Sequence, residues 1–262
     1  MCTNLFIGQD LGSLLINLLG GVLVMLLDRL YLYLRKEFRS FRFKKLFGKD
    51  IENYSIVYGK MLLKTTYDQN GQVMQFPYAK ENGASFRISE PVSFTETKSA
   101  KYISISISRN SKSSPIIISD EEISNKVDLS FCSLGGYNNR KTEDILKAEN
   151  NHYLDIDISS GGKIFSKLDE TNSYSIDDTY DYAVIIKLKN RQFPKRTQIC
   201  VAGLGESGTS GASWFLANKW SELIKKGGRK EFGCVIRVKF GQDESSEIVK
   251  MITKKDYKKN EK

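Results

Sequence analysis

The chain has little of what most catalytic and metal-binding sites are made from. It holds one histidine, His152, and four cysteines, Cys2, Cys132, Cys200 and Cys234, with no CxxC pair among them. A zinc site therefore lacks its usual ligands. Cys132, Cys200 and Cys234 lie in apolar, strand-like runs and read as small buried hydrophobes, so no disulfide framework is expected. There is no G-x-x-x-x-G-K-[ST] phosphate loop and no G-x-S-x-G elbow. No catalytic residue, metal or cofactor is assigned. The first ten residues carry no lysine or arginine, which argues against a secretory leader.

Positive charge is plentiful but unevenly placed. The net charge is +9 over 262 residues. Eight basic residues fall between Arg29 and Lys49 and six lysines between Lys250 and Lys262, while Asp50 to Val249 balances 26 basic against 26 acidic residues. A nucleic-acid binder carries its charge on the folded surface that meets phosphate, so no nucleic-acid partner is expected.

Leu11 to Leu27 reads LGSLLINLLGGVLVMLL, and LYLYL extends the apolar character to Leu34 beyond Asp28 and Arg29. About 20 apolar residues span a bilayer core. Arg29 can snorkel, and Tyr31 and Tyr33 suit the interfacial belt. A surface amphipathic helix needs a polar face that is missing here. A core helix is rarely so uniformly apolar. The expectation is one spanning helix, its basic C-terminal flank facing the cytoplasm at the inner (plasma) membrane and drawn to anionic headgroups. Ser13, Gly20 and Gly21 fall near one face, where small residues permit a homo-oligomer through this helix or are simply common membrane residues.

The predicted organisation is residues 1–34 for the N-terminal segment and spanning helix, 35–50 for a basic connector, 51–249 for an α/β domain and 250–262 for a disordered lysine-rich tail. The connector reads as a helix breaking at Gly48, with Phe38, Phe41 or Phe43, and Leu46 or Phe47 at helical spacing. Strands are expected at 55–63, 127–136, 154–158, 163–168, 182–188, 197–202 and 234–240. Helices are expected from Asn138 or Asn139 and over 211–225. Between them, 67–94 reads as irregular with a hairpin, and 96–108 as ambiguous with a helical first half. Near-continuous apolar strands alternating with helices predict a Rossmann-like three-layer α/β sandwich with a mostly parallel sheet and a β-hairpin insertion.

Two glycine turns follow apolar strands. In SLGGYNNRKT, Ser133 to Thr142, Gly135 and Gly136 permit a tight turn. Asn138 and Asn139 can cap the helix or bond a base or sugar edge, Lys141 can neutralise a phosphate, and Thr142 supplies a hydroxyl. In GLGESGTSGAS, Gly203 to Ser213, Gly203, Gly205 and Gly208 match G-x-G-x-x-G, Thr209 and Ser210 offer hydroxyls, and the amides offer an anion nest. Glu206 can bind a ribose hydroxyl or act as a base, though it also repels phosphate. Asp155 and Asp157 share a strand face and are open to a cation or to plain solvation. Glycine turns without any ligand are the competing explanation.

SLGGYNNRKT, YDYAVIIKLKN and TQICVAGLGESGTSGASWFL together resemble a poorly characterised prokaryotic Rossmann-like domain, across about 127–240. It is similar to the sensor halves of membrane-linked proteins in bacterial conflict, antiviral and signalling systems. The resemblance implies a nucleotide or nucleotide-derived ligand at Gly135, Gly136, Asn139, Thr142, Gly203, Gly205, Gly208 and Thr209. Two alternatives stand beside this sensor: a nucleotide- or NAD-processing enzyme using Glu206 or Asp155 and Asp157, and a partner-binding membrane protein with no small ligand.

Overall fold

The computed structural model describes residues 5–61, 66–67, 73–74, 77–79, 85–87, 92–157 and 162–260. The chain divides into two units, 1–42 and 43–262.

The first unit is helix α1, which runs unbroken from Leu5 to Phe47, its last turns belonging to the second unit. At 1.5 Å per residue its 43 residues span about 65 Å. From Gly12 onward the most apolar stretch has a mean hydropathy of 1.8 and no buried share. By length and composition it is a candidate membrane span. Connector and span are thus one helix rather than two segments, ending before Gly48, whose φ of +109° an L side chain resists.

The second unit begins inside that helix. Phe43, Leu46 and Phe47 are fully buried, whereas Phe38 and Phe41 are exposed. Phe43 stacks on Phe47 at 4.6 Å and meets the edge of Trp220 at 5.2 Å, and Phe47 meets Tyr54 edge-on. The i, i+3, i+4 spacing of 43, 46 and 47 puts all three on one stripe. The boundary of the body is therefore Phe43 and not Ile51.

Fourteen strands, five further α-helices and a short 3-10 helix (Ile51–Asn53) make up the rest among the described residues. β1 (Ser55–Tyr58) is followed by two small antiparallel ladders, β2 (Thr66–Tyr67) with β3 (Val73–Met74) and β4 (Pro77–Ala79) with β5 (Ser85–Arg87). The turns expected at Asn70-Gly71 and Asn82-Gly83, and Pro91, lie outside the described residues, as do Ile158 and Gly161. α2 (Phe94–Ser111) is helical throughout the ambiguous 96–108 segment, and β6 (Ile116–Ser119) follows. Then come β7 (Phe131–Leu134), α3 (Arg140–Leu146), β8 (Leu154–Asp157), β9 (Lys163–Ser166), β10 (Asp169–Tyr174), β11 (Tyr180–Lys189) and β12 (Thr197–Gly203). The single helix expected over 211–225 is two, α4 (Glu206–Asn218) and α5 (Trp220–Gly227), parted at Lys219. The chain ends with β13 (Phe232–Lys239), β14 (Gln242–Thr253) and α6 (Lys254–Asn260). The expected disordered tail is, over 250–260, the end of a strand and a helix.

The main sheet has the order β14-β13-β11-β12-β7-β1-β6. Strands β6, β1, β7 and β12 pair in parallel, and the three remaining pairings are antiparallel. The sheet is mixed, not mostly parallel. The reason is connection length: 190–196 joins β11 to β12 and 240–241 joins β13 to β14, far short of the dozen or so residues a parallel crossover needs.

Both faces of the sheet are buried. Ile56, Cys132, Leu134, Ile185, Ile199, Val201, Cys234 and Ile236 face one core with α1's end, α2, α4 and α5. Val57, Phe131, Val184, Ile186, Cys200, Ala202 and Val235 face the other, under α3 and the small β8–β9–β10 sheet. Alternation within each strand thus sends consecutive apolar residues to opposite cores, which is why the runs look continuous. α2 packs on α4, where Ser99, Ala100, Ala212 and Ser213 are small buried residues of the two helices, and Ser106 Oγ donates to Ala217 O (2.6 Å).

Removing a wholly buried ring costs about 3–5 kcal/mol. Phe47→Ala should lower the stability of the detergent-solubilised chain by that amount in denaturant unfolding, while Phe41→Ala, on an exposed ring, should change it by less than about 0.5 kcal/mol.

Candidate functional site

β1 leads through α2 to β6 on one side of it, whereas β7 lies on the other side and leads to α3. α2 packs on the face of α4, and α3 on the opposite face. The chain therefore reverses its winding between β1 and β7, and in an open α/β sheet such a switch point opens a crevice at the strands' carboxyl ends. Those ends are Gly59 and Gly135.

Glu96, in the first turn of α2, occupies that position. It is 4% exposed. Gly59 N donates to its Oε2 (2.9 Å) and Asn138 Nδ2 to its Oε1 (3.4 Å). Gly135, at φ +86°, lies so close that a Cβ there would collide with Oε1. Burial pushes the Glu96 carboxyl up to about 7, against the two donors that favour its ionised form and with a smaller push from Asp120. Beside it lies a groove of about 440 Å³ lined by Tyr58, Val92, Ala100, Lys101, Ile105 and Ile117. Its size and largely apolar lining suit a small molecule, with Glu96, Thr97, Lys101 and Ser104 as the polar groups beside it.

Two more carboxylates treat the neighbouring backbone in the same way. Asp120, just past β6, is 3% exposed and accepts from Lys60 N (3.0 Å) and from Arg140 N at the start of α3 (2.9 Å). Asp181, near the start of β11, is fully buried. It accepts from Gly205 N (3.1 Å), Gly208 N (2.6 Å) and Tyr182 N (2.7 Å). Burial raises its carboxyl above the ordinary range, opposed by those amides. The anion nest expected of the second glycine turn thus already holds an anion, from the protein itself.

The two turns do lie side by side. Gly135 N donates to Val201 O (3.0 Å), and a Cβ on Gly136 would come within 4.0 Å of Gly203 O. Several expected ligand groups are nevertheless turned inward. Asn139 is the N-cap of α3, accepting from Lys141 N and Thr142 N while its Nδ2 ties Val57 O to Leu134 O, both at 2.9 Å. Thr142 Oγ1 donates to Gly135 O (3.0 Å). Lys141 is buried and donates to Ser124 O (3.0 Å) and Asp144 (3.2 Å), away from the turn. Thr209 Oγ1 accepts from Gly203 N (3.0 Å), and Ser210 Oγ donates to Asp243 (2.7 Å). Gly136, Asn138, Gly203, Gly205 and Glu206 keep access to solvent. Asp155 is engaged by Tyr137 (3.2 Å) and Lys167 (3.1 Å), and no cluster of metal-ligating side chains occurs among the described residues.

Glu96, Asp120 and Asp181 were not singled out by the sequence. The available signal was modest: an acid directly after IIIS, an acid one residue before YAVIIKL, and an acid in the first turn of a helix following an insertion.

The raised Glu96 carboxyl has a definite pH signature. Below about 4.5 folded and unfolded chains both hold the proton. From there to about 7 the unfolded chain ionises first, so stability falls, and above 7 the full penalty of up to about 3 kcal/mol applies. Glu96→Gln keeps an acceptor for Gly59 and should be the more stable protein at pH 8, the difference vanishing near pH 4.5 in parallel denaturant titrations. The chain matches no family model, no curated protein and no solved structure, so the reading of this site rests on its geometry.

Proposed function

We propose that the chain is a single-pass membrane sensor whose Rossmann-like body lies on the cytoplasmic side and binds a nucleotide-derived small ligand at the switch crevice. The observation that carries this is Glu96, a buried carboxyl at the meeting of β1, β7 and α2, open to an apolar groove. Anchoring is supported by the uninterrupted apolar helix, and the orientation by the eight basic residues on its C-terminal flank.

The carboxylates narrow the ligand's chemistry. Amides that would greet a phosphate are engaged by Asp120 and Asp181. A ligand here is better recognised by its donors, the hydroxyls of a ribose or the amino group of a base, directed at Glu96. A planar base fits between Tyr58, Ala100, Ile105 and Ile117, and Lys101 on the rim can meet a phosphate at the ligand's far end. Binding signals only if the ligand distinguishes two states of the body or of a helix-mediated homo-oligomer.

A second reading has its own observation. A carboxyl near 7 is suited to general acid–base work at neutral pH, so the same crevice fits an enzyme acting on a nucleotide or NAD.

The full chain in lipid nanodiscs, screened by thermal unfolding against nucleosides, nucleotides, NAD-derived metabolites and inorganic phosphate, tests the proposal. A nucleoside-containing compound at 100 Kd should stabilise by about 2.7 kcal/mol, phosphate alone should not, and Glu96→Gln should weaken binding at least tenfold. Stabilisation by phosphate alone, or by nothing in the panel, would contradict it. Turnover lost in Glu96→Gln with binding retained would move the balance to the enzyme.

A further inference from the structure

The opposite edge of the sheet has the reverse charge. Lys225, Lys226, Arg229 and Lys230, at the end of α5 and in the loop before β13, and Lys254 and Lys255, at the start of α6, surround a recess of about 750 Å³. All six are exposed. The one acid lining the recess is Glu231, and its carboxylate is already engaged by Lys189 N (3.0 Å) and Asn150 Nδ2 (2.9 Å). Lys226 is paired with Glu222 (2.8 Å), and the next acid along the chain, Asp256, accepts from Thr253 N and Thr253 Oγ1, both at 2.8 Å.

This recess adjoins the place where the chain enters the body. Lys187, 1% exposed on β11, donates from Nζ to Lys45 O in the last turn of α1 (2.7 Å) and to Arg229 O (3.2 Å). One buried ammonium thus ties the basic loop to the helix end. Lys44, Lys45 and Lys49, in and just past the last turn of α1, add to the same field.

We propose that the α5–β13 loop and the start of α6 form a second membrane contact, a headgroup site for anionic phospholipid on the folded body. It is distinct from the basic flank of the helix and rests on the anchor reading above. Six cations, one of them paired with Glu222, line a concavity large enough for a headgroup phosphate, and the one acid in its wall is already engaged. A tethered body needs only a weak contact here, because the helix supplies a high local concentration.

The test uses the full chain in nanodiscs of pure phosphatidylcholine and of phosphatidylcholine with phosphatidylserine. Amide hydrogen exchange over 225–231 and 253–256 should slow several-fold in the anionic discs, with the glycine turns unchanged, and high salt should reverse the effect. Lys225→Gln, Arg229→Gln, Lys230→Gln and Lys254→Gln together, all at exposed positions, should abolish it. Equal exchange in both lipids would overturn this proposal alone. A chain released from the discs by alkaline carbonate would overturn the anchor and this contact with it. Protection by added single-stranded RNA but not by anionic lipid would assign the patch to another partner and also overturn it.

Discussion

Three buried carboxylates hold the carboxyl edge of this sheet together. Loops that turn tightly enough to leave a strand and start a helix expose backbone amides, and buried amides need acceptors. Glu96 takes Gly59, Asp120 takes Lys60 and Arg140, and Asp181 takes Gly205 and Gly208. Each acid comes from a different element, α2, the end of β6 and the start of β11. The edge is therefore stitched across the sheet as well as along the chain. Glycine at 208 follows from this: a Cβ there would lie 2.6 Å from Tyr182 O and 2.9 Å from Asp181 Oδ1. Glycine at 205 and 208 lets the protein's own acid approach the turn.

That arrangement makes the body chemically two-ended. Its carboxyl edge is lined by acids with raised protonation ranges, and its amino edge by exposed cations and the rooted end of a membrane-length helix. Counted from Phe43, the body holds 35 basic against 28 acidic residues, with exposed cations gathered at one end and buried acids at the other. Between them run strands buried on both faces, whose inward side chains are mostly apolar. Lys187 is a buried cation in the middle of β11. Burial lowers its ammonium to about 7, and the carbonyl of Lys45 at the helix end gives its protons a partner.

Local pattern carried much of the fold. The apolar helix, its end at Gly48, the strands β1, β7, β8, β9, β11, β12 and β13, and a cap of α3 at Asn138 or Asn139 all follow from runs, spacing and capping chemistry. β6 is a run of only four residues, IIIS, and β14 opens on the polar stretch QDESSE, so neither stands out as a long apolar strand. The mixed pairing needed connection lengths as well as strand content. Ile103, Ile105 and Ile107 alternate as in a strand, yet only Ile103 and Ile107 are buried, four apart on a helix, with Ile105 on the other face. The glycine turns and their adjacency were legible, but what fills them was not. An acid that accepts from a turn 24 or 27 residues away leaves no local signature, and neither does the choice of Phe43, Leu46 and Phe47 over Phe38 and Phe41, which tertiary packing alone makes.

The central claim is that the amides at the carboxyl edge are satisfied internally, leaving recognition to donors on the ligand. Amide exchange by NMR at Gly59, Lys60, Arg140, Gly205 and Gly208, in ligand-free and phosphate-free buffer, measures this directly. Slow exchange at all five, unaltered by added phosphate, is the expected result. Fast exchange that phosphate slows would show open amides awaiting an anion, and would contradict the account.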